Sequence, residues 1–428
     1  MKSKVLASLA LVSACVANAV TVSSVMARQR WPWSAMMDID FTLADTSAPT
    51  SNYLVQVTAT YANGTESVMA KTFVNEPVFS NGTHRLVWNL GKDLPNVKAT
   101  DFVVTVTATP YAESTGAYLV FDLSGGSTAK SYPHWYTSTP PEVLPNTAQA
   151  CKTTEMWFRR VPGGTITQGN GTSGTANSLP AHDVTISSDY YVAIFETTQQ
   201  QWHQIFGEWK GSWNNEEWRV ARPVEFINTT NDKNNNGAIR GNWNGFNVQS
   251  SIVECAWNSL VGFLRSRTGF KGIDLPTEAQ WEHACRAGTT GARYSDKPIA
   301  ELARCRATDS DKSLAPYANG ATNGTAVVGS YDPNPWGLYD MYGNVLEICL
   351  DRWQESPSDL AAYSGTDPVG TTSVANDNWR VLRGGHYAML NYLETNLTSY
   401  YRRGINSHSA WVGFRLVVNI GPYGSREW

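Results

Sequence analysis

LPTEAQWE, at Leu275–Glu282, carries the clearest local signal for the structure of the larger part of this chain. Thr277 and Gln280 stand three residues apart at the start of an apolar face, which is the arrangement of a capping box that begins a helix. Trp281 opens the apolar face, and Gly288 is placed to end the helix. The stretch therefore predicts a short amphipathic helix with defined ends.

Two further helices are predicted around this stretch. Ser251 with Glu254 forms a second capping box, after which apolar residues recur at helical spacing until Gly269. Thr198 followed by Gln201 opens a third, shorter helix. The rest of this region consists mostly of loops, glycine turns and short aromatic strands, so we expect a mixed α+β domain with little regular sheet. The apolar residues of the second helix are Val253, Trp257, Leu260 and Leu264.

Five short blocks carry a resemblance to a known family. In order they are FETT at 195–198, LPTEAQWE at 275–282, GLYDMYGNVLE at 337–347, RVLRGG at 380–385 and GFRL at 413–416. Over about residues 155 to 418 they resemble the successive signature blocks of the sulfatase-modifying factor family, which includes the formylglycine-generating enzymes. The resemblance implies a loop-rich, C-type-lectin-like fold held by Trp and Arg packing and by bound calcium. The family also includes nonheme-iron and tailoring enzymes, so the fold alone does not decide the function.

The resemblance also places the oxidase cysteine pair of the formylglycine-generating enzymes a few residues after RVLRGG. In this sequence those positions are Met389 and Glu394. Neither a thioether nor a carboxylate replaces a thiolate in a linear Cu(I) site. Copper is therefore not expected, and we predict no catalytic residue at this site.

Iron is not expected either. The sulfoxide synthases of the family hold iron with histidines at HxxxHxE spacing, and none of the seven histidines here lies three or four residues from another. His386 and Tyr387, directly after RVLRGG, are the candidate ligand cleft.

A calcium loop is implied in the third block of the resemblance, from Asp340 to Glu347. In the family the side-chain oxygens at the two ends and the carbonyls at Gly343 and Val345 wrap the ion. Hard oxygen ligands on a tight turn suit calcium, which is the cofactor we predict. The alternative is that the two carboxylates accept hydrogen bonds from backbone N–H groups without metal. Whether a second calcium loop exists near Arg304 is undecided, because this cationic side chain stands at the position of the first ligand.

Residues 20–115 have a different pattern, in which β-branched and polar residues alternate. Such runs occupy Asp38–Thr42, Tyr53–Thr60, Arg85–Asn89 and Phe102–Thr109, with the turn pairs Asn63-Gly64 and Asn81-Gly82 between them. Period-two alternation with Asn-Gly turns predicts a small antiparallel β-sandwich of immunoglobulin-like or fibronectin-like type. Its role is either a plain structural domain, which we favour, or an adhesion module.

Residues 116–150 are rich in Ser, Thr, Gly and Pro, which is typical of a linker. The domain organisation is therefore a leader at 1–19, a β-sandwich at 20–115, a linker at 116–150 and a sulfatase-modifying-factor-like domain at 151–420.

The first 19 residues indicate export from a bacterial cell. Two lysines precede an apolar run from Val5 to Ala14 and a small-residue site, Ala17–Ala19, as in a signal peptide. A secreted or periplasmic location follows. The minority alternative is a lipid anchor on Cys15. No later apolar segment approaches the length of a transmembrane helix.

Composition excludes one partner class and leaves two functions. The net charge is -4, without a run of Lys or Arg, which excludes nucleic acid. Five cysteines after the leader allow disulfides, or serve as small buried apolar residues. We therefore predict a noncatalytic binding or scaffold protein for an extracellular or periplasmic ligand, a peptide or glycan. The alternative is an oxidoreductase or tailoring enzyme with a different site.

Overall fold

The computed structural model describes residues 20–30, 35–46, 53–70, 73–74, 77–95, 97, 99, 101–110, 116–170, 178–214, 216–227, 239–240, 255–305, 324–354, 363–370, 379–389, 396–405 and 409–420. They fall into two compact units, Met1–Gly116 with Pro133–Ser138, and Ala117–Tyr132 with Thr139–Trp428. Among the described residues, no helix is long and apolar enough to cross a membrane.

The secondary structure consists of short strands with a few short helices. The strands are β1 (Val20–Gln29), β2 (Met36–Asp45), β3 (Tyr53–Tyr61), β4 (Glu66–Met69), β5 (Val78–Phe79), β6 (Gly82–Asn89), β7 (Val103–Pro110), β8 (Tyr118–Asp122), β9 (His134–Thr137), β10 (Glu155–Val161), β11 (Gly164–Gln168), β12 (His182–Ile186), β13 (Tyr190–Ala193), β14 (Ile273–Asp274), β15 (Ala303–Arg304), β16 (Tyr342–Gly343), β17 (Leu346–Arg352), β18 (Gly365–Thr366), β19 (Arg380–Arg383), β20 (Arg402–Ile405), β21 (Val412–Gly413) and β22 (Val417–Asn419). The helices are α1 (Leu90–Asp93), α2 (Ala150–Thr153), α3 (Gln199–Phe206), α4 (Glu216–Arg219), α5 (Leu260–Thr268), α6 (Glu278–Arg286) and α7 (Ile299–Leu302).

The first unit contains two antiparallel sheets that share one core. One sheet has the order β1, β2, β6, and in the other β3 pairs with β4, β5 and β7. Along β2, Ile39, Phe41 and Leu43 are buried while the residues between them face outward. They pack in one apolar cluster with Val55 and Val57 of β3. Alternation with period two places one face of each sheet inward, so the predicted β-sandwich is present.

The two predicted Asn-Gly turns differ in what they connect. Asn63 and Gly64 both have positive φ, 54° and 82°, between the paired strands β3 and β4, as a hairpin turn requires. Asn81 and Gly82 instead lead from β5 into β6, which belongs to the other sheet. The second pair is therefore a crossover between the sheets of the sandwich.

The second unit contains several small sheets. One has β14, β22, β13, β10 and β8 in that order, another has β20, β19, β17 and β21, and two more join β11, β12 and β18, and β15 and β16. Together with the short helices they form the α+β, loop-rich arrangement that the sequence predicts.

The segment predicted to be a linker, 116–150, is folded instead. Its strand β8 pairs with β10 along the whole run from Tyr118 to Asp122. Leu119, Val120 and Phe121 are all fully buried. The apolar residues of this short strand are flanked by Ser, Gly and Thr. The composition of the whole segment therefore favoured a linker over a strand.

Capping determines where the helices of the second unit begin. Thr277 and Gln280 make both hydrogen bonds of a capping box at α6, and Thr198 and Gln201 do the same at α3. The C-terminal cap of α6 is Ala287, in the left-handed conformation one residue before the expected Gly288. These two helices are as predicted.

The helix expected to follow Ser251 begins later than predicted. Its first residue is Leu260, and Ser259 caps it by accepting a hydrogen bond from Gly262. Trp257, placed on the apolar face by its spacing, lies before the helix and is 80% exposed. The end at Gly269 is correct, with φ of 83°. The Ser251–Glu254 capping box lies outside the described residues.

Buried arginines connect the loops of this unit. Arg402 pairs with both carboxylate oxygens of Glu278, at 2.8 and 3.0 Å, and lies over the ring of Trp353. Arg383 lies over Trp281 and pairs with Glu282 of α6. A buried guanidinium is tolerated only when its donors are satisfied, so these pairs fix the backbone around them.

Candidate functional site

Two glycines after strand β19 form the turn that positions the candidate ligand-binding residues. Gly384 and Gly385 have φ of 89° and 79°, a conformation that disfavours side chains. A Cβ at Gly385 would lie 2.6 Å from Leu397 Cδ2. RVLRGG therefore ends in a turn with room only for glycine, and His386 and Tyr387 follow directly.

The His386 ring is a neutral hydrogen-bond donor. Burial lowers the pKa of His386 to about 3, with Arg403 acting in the same direction. Its Nδ1 accepts a hydrogen bond from the backbone N–H of Ala388 at 3.2 Å. A neutral imidazole that accepts at Nδ1 carries its proton on Nε2. The Nε2–H has no acceptor among the described residues.

Aromatic rings surround this histidine. The ring of Trp411 meets His386 edge to face, with centroids 4.6 Å apart, and Tyr387 meets Trp213 in the same way at 5.5 Å. Trp411 is 41% exposed, and the guanidinium of Arg403 lies over its ring. We call these four residues, His386, Tyr387, Trp213 and Trp411, the aromatic cleft. The structure thus brings the two predicted residues together with two tryptophans that the sequence reasoning missed.

The position assigned to the first oxidase cysteine is held by a buried thioether. Met389 is 8% exposed, and its backbone N–H donates to the His386 carbonyl at 2.9 Å. Its sulfur lies 3.2 Å from where a Cβ at Gly385 would be, so it packs against the glycine turn. Glu394, the second position, lies outside the described residues.

The cysteines of the described residues offer no replacement. Cys151, Cys255, Cys285, Cys305 and Cys349 are all free thiols. Burial raises the pKa of Cys285 to about 12, and those of Cys151 and Cys305 to about 11, so these groups stay protonated at neutral pH. In the described ranges, no group of three or more His, Cys, Asp or Glu side chains is arranged to hold a metal.

The predicted calcium loop contains an ion pair. Both carboxylate oxygens of Glu347 accept from Arg415, each at 2.6 Å, and one also accepts from Trp281 Nε1 at 2.7 Å. Asp340 accepts from the Gly329 N–H at 2.7 Å through one oxygen, and its other oxygen is buried and has no partner among the described residues. Arg415 therefore engages both oxygens of Glu347, and a calcium ion would compete with this guanidinium for the carboxylate.

A third acid completes this region. Glu196, in the FETT block, accepts from Asn344 Nδ2 at 2.5 Å and from the Val345 N–H at 3.0 Å. Burial, with the charges of Asp340 and Glu347 in addition, raises the pKa of Glu196 well above its usual value. We call Glu196, Asp340, Glu347 and Arg415 the acidic cluster. Arg415 already supplies a positive charge there, so the residues fit an ion pair better than a calcium ion.

The sequence of the chain is similar to a known protein family and to individual proteins. Residues 143–420 match the Sulfatase-modifying factor enzyme 1-like domain. The chain is 28% identical over 272 residues to the serine/threonine-protein kinase pkn1 of Chlamydia pneumoniae, covering 61% of this chain and 37% of that one. It is 38% identical over 142 residues to the formylglycine-generating enzyme of Streptomyces coelicolor, covering 32% and 41%. The chain thus spans less than half the length of these relatives.

Among solved structures, Treponema denticola variable protein 1 is similar, with a TM-score of 0.45 and 20% identity. The match covers 65% of this chain and 99% of that one.

Proposed function

The chain belongs to the sulfatase-modifying factor family. Within that family, we propose that its domain is a noncatalytic binding module without formylglycine-generating activity. The observation that carries the proposal is Met389, a buried thioether at the position that the resemblance assigns to a copper-binding cysteine. A Cu(I) bis-thiolate needs two deprotonated thiols, whereas the buried thiols are held protonated. We further propose that the protein is exported and acts outside the cytoplasm.

The aromatic cleft supports a binding role. It combines an exposed indole, a half-buried phenol and the N–H of a neutral imidazole that has no acceptor in the described part of the chain. Aromatic faces bind apolar surfaces of a ligand, and a few polar groups fix its orientation. An extracellular or periplasmic peptide or glycan fits this chemistry.

Metal analysis tests the noncatalytic part of the proposal. We expect purified protein, analysed by inductively coupled plasma mass spectrometry, to contain neither copper nor iron in stoichiometric amount. The matched control is the double variant Met389→Cys with Glu394→Cys, which we expect to gain Cu(I) in a titration against a competing chelator. Stoichiometric copper or iron in the wild-type protein would support the oxidoreductase alternative instead.

Calcium at Asp340, Gly343, Val345 and Glu347 is tested separately. Arg415 already pairs with both oxygens of Glu347, so we expect EDTA and added calcium to leave the melting temperature unchanged. A melting temperature that rises with calcium and falls with EDTA would show that the ion binds.

A binding screen tests the cleft. We expect peptide-display libraries and glycan arrays probed with the full chain to yield a ligand whose affinity falls at least about tenfold on Trp411→Ala. Trp257→Ala is the matched control, because Trp257 is also exposed and lies outside the cleft. The cleft is excluded as the binding surface if both variants bind alike, or if neither library yields a ligand.

A further inference from the structure

A second pocket, which shares no residue with the aromatic cleft, lies beside α6. Its volume is about 620 Å³, within the usual range of small-molecule sites. Its walls come from strand β11, the loop after α6, and two aromatic residues further along the chain. They include Thr165, Thr167, Asn170, His283, Thr290, Trp336 and Tyr400. We call it the hydroxyl pocket.

Arg286 holds two of its walls in place. Its guanidinium donates to the carbonyls of Gly291 at 3.0 Å and Gly169 at 3.1 Å, one in the loop after α6 and one after β11. It also donates twice to Glu282, at 2.8 and 2.6 Å. The donors of Arg286 therefore serve Glu282 and the walls and not a ligand.

His283 presents an unpaired acceptor to this pocket. It is 4% exposed, and burial lowers its pKa to about 4, so the ring is neutral. Tyr190 donates its hydroxyl proton to the Gln280 carbonyl at 2.8 Å, which leaves the phenol oxygen to accept from His283 Nδ1–H at 3.1 Å. The proton on Nδ1 leaves a lone pair on Nε2. That nitrogen has no donor in the part of the chain that the structure describes.

Four other polar groups of the pocket have no hydrogen-bond partner among the described residues, and they face solvent in part or in full. They are the half-buried Tyr400 hydroxyl and Trp336 indole N–H, and the exposed Asn170 amide and Thr290 hydroxyl. Together with His283 Nε2 they offer both donors and acceptors, and none of them carries a charge. The ring of Trp336 stands edge to face with His283, at 5.2 Å between centroids, which fixes it at the wall.

We propose that the hydroxyl pocket binds a neutral carbohydrate. A sugar hydroxyl both donates and accepts, so it pairs with the amide, hydroxyl and imidazole groups that have no protein partner. An indole ring stacks on the apolar C–H face of a sugar. A charged ligand is not matched, because Arg286, the one cation among the lining residues, donates its N–H groups to Glu282 and to the carbonyls of the walls.

The test uses the full chain and a fixed panel of sugars. The neutral members are glucose, galactose, mannose, N-acetylglucosamine, maltose and cellobiose, and the charged members are glucuronate and glucose 6-phosphate. Binding is measured by isothermal titration calorimetry and by the ¹⁵N resonance of His283 Nε2, assigned by its loss in His283→Gln. We expect at least one neutral sugar to bind and to shift that resonance toward the hydrogen-bonded position.

Variants separate this pocket from the aromatic cleft. We expect Trp336→Ala to weaken binding at least about tenfold and Thr290→Val, which removes a hydroxyl without changing shape, to weaken it several-fold. Trp411→Ala should leave the affinity unchanged. The proposal is overturned if no neutral sugar moves the His283 resonance, if the charged sugars bind as well as the neutral ones, or if Thr290→Val binds like the wild type.

Discussion

At the scale of single residues, Arg415 organises the acidic cluster. Its guanidinium is fully buried and donates to Glu347, to the Ala193 carbonyl at 3.0 Å and to the Tyr339 carbonyl at 2.9 Å. Its charge compensates buried carboxylates that would otherwise have no positive charge beside them in a low-dielectric interior. The final GFRL block therefore holds strands together that are distant in sequence.

Replacing this arginine should destabilise the second unit strongly. Arg415→Met leaves Glu347 buried without its partner, so we expect the free energy of unfolding to fall by about 3–5 kcal/mol. Urea unfolding followed by tryptophan fluorescence measures it. Lys297→Met, which breaks an exposed pair with Asp332, is the control and should leave the unfolding midpoint nearly unchanged. An effect of Arg415→Met as small as that of the control would show that the ion pair does not form.

Asp340 should make stability depend on pH. Burial raises its pKa from 3.8 to about 6, so the folded chain binds a proton that the unfolded chain has already lost between those values. Stability from this group is therefore complete below about pH 4 and is lost as pH rises to about 6, by roughly 3 kcal/mol in total.

Asp340→Asn removes that dependence. The amide oxygen still accepts from the Gly329 N–H. From pH 4 to pH 7, the free energy of unfolding of the variant should rise relative to that of the wild type by roughly 3 kcal/mol. Urea midpoints of both proteins across this range measure the difference. Parallel pH profiles would contradict the raised pKa.

At the scale of elements, close backbone approaches constrain the strands. Gly343 in β16 has φ of 74°, and a Cβ there would lie 2.2 Å from the Arg304 carbonyl oxygen of the paired strand β15. Gly365 in β18 has a similar φ of 89°, but a Cβ there would lie more than 4 Å from the described residues other than its two chain neighbours. The two glycines differ in packing while sharing a conformation.

This pair gives a matched experiment. We expect Gly365→Ala to cost about 1 kcal/mol, from the left-handed conformation alone. Gly343→Ala should cost several times more, because backbone must move to admit the methyl group. Thermal melting of both variants compares them. Equal losses would mean that β15 and β16 do not approach as described.

Local signals explain which elements could be predicted. The capping boxes at Thr277 and Thr198 depend on residues three apart, so α6 and α3 could be predicted from the sequence. Leu260 is on the predicted face, yet Ser259 and not Ser251 begins α5, because helical spacing alone does not choose among several candidate caps.

Contacts between distant residues explain what the sequence did not show. Glu347 was predicted as a calcium ligand, and its pairing with Arg415, 68 positions away, follows only from the fold. Trp213 and Trp411 of the aromatic cleft are likewise distant in sequence from Tyr387 and His386. Spacing carries no information about such pairs.

At the scale of the whole molecule, the chain combines a β-sandwich unit with a family domain. The family match begins at residue 143, yet the second unit already includes residues 117–132 with strand β8. The five ordered blocks identified the family because their residues form its buried core: Glu196, Trp281, Glu347, Arg383 and Arg415 are all at most 1% exposed. The same blocks do not decide activity, and our proposal that the domain is noncatalytic depends on the two positions after RVLRGG.

We propose that this family member does not generate formylglycine, and a conversion assay measures that activity. The copper-treated full chain is incubated with a sulfatase-type cysteine peptide and oxygen, and the peptide is analysed by mass spectrometry beside the Streptomyces coelicolor formylglycine-generating enzyme as positive control. Because Met389 offers no thiolate for Cu(I), we expect the peptide to keep its thiol while the control converts it to the aldehyde. If the wild-type chain forms aldehyde, and the aldehyde is lost when Met389 is changed to Ala, the chain generates formylglycine and the domain is catalytic.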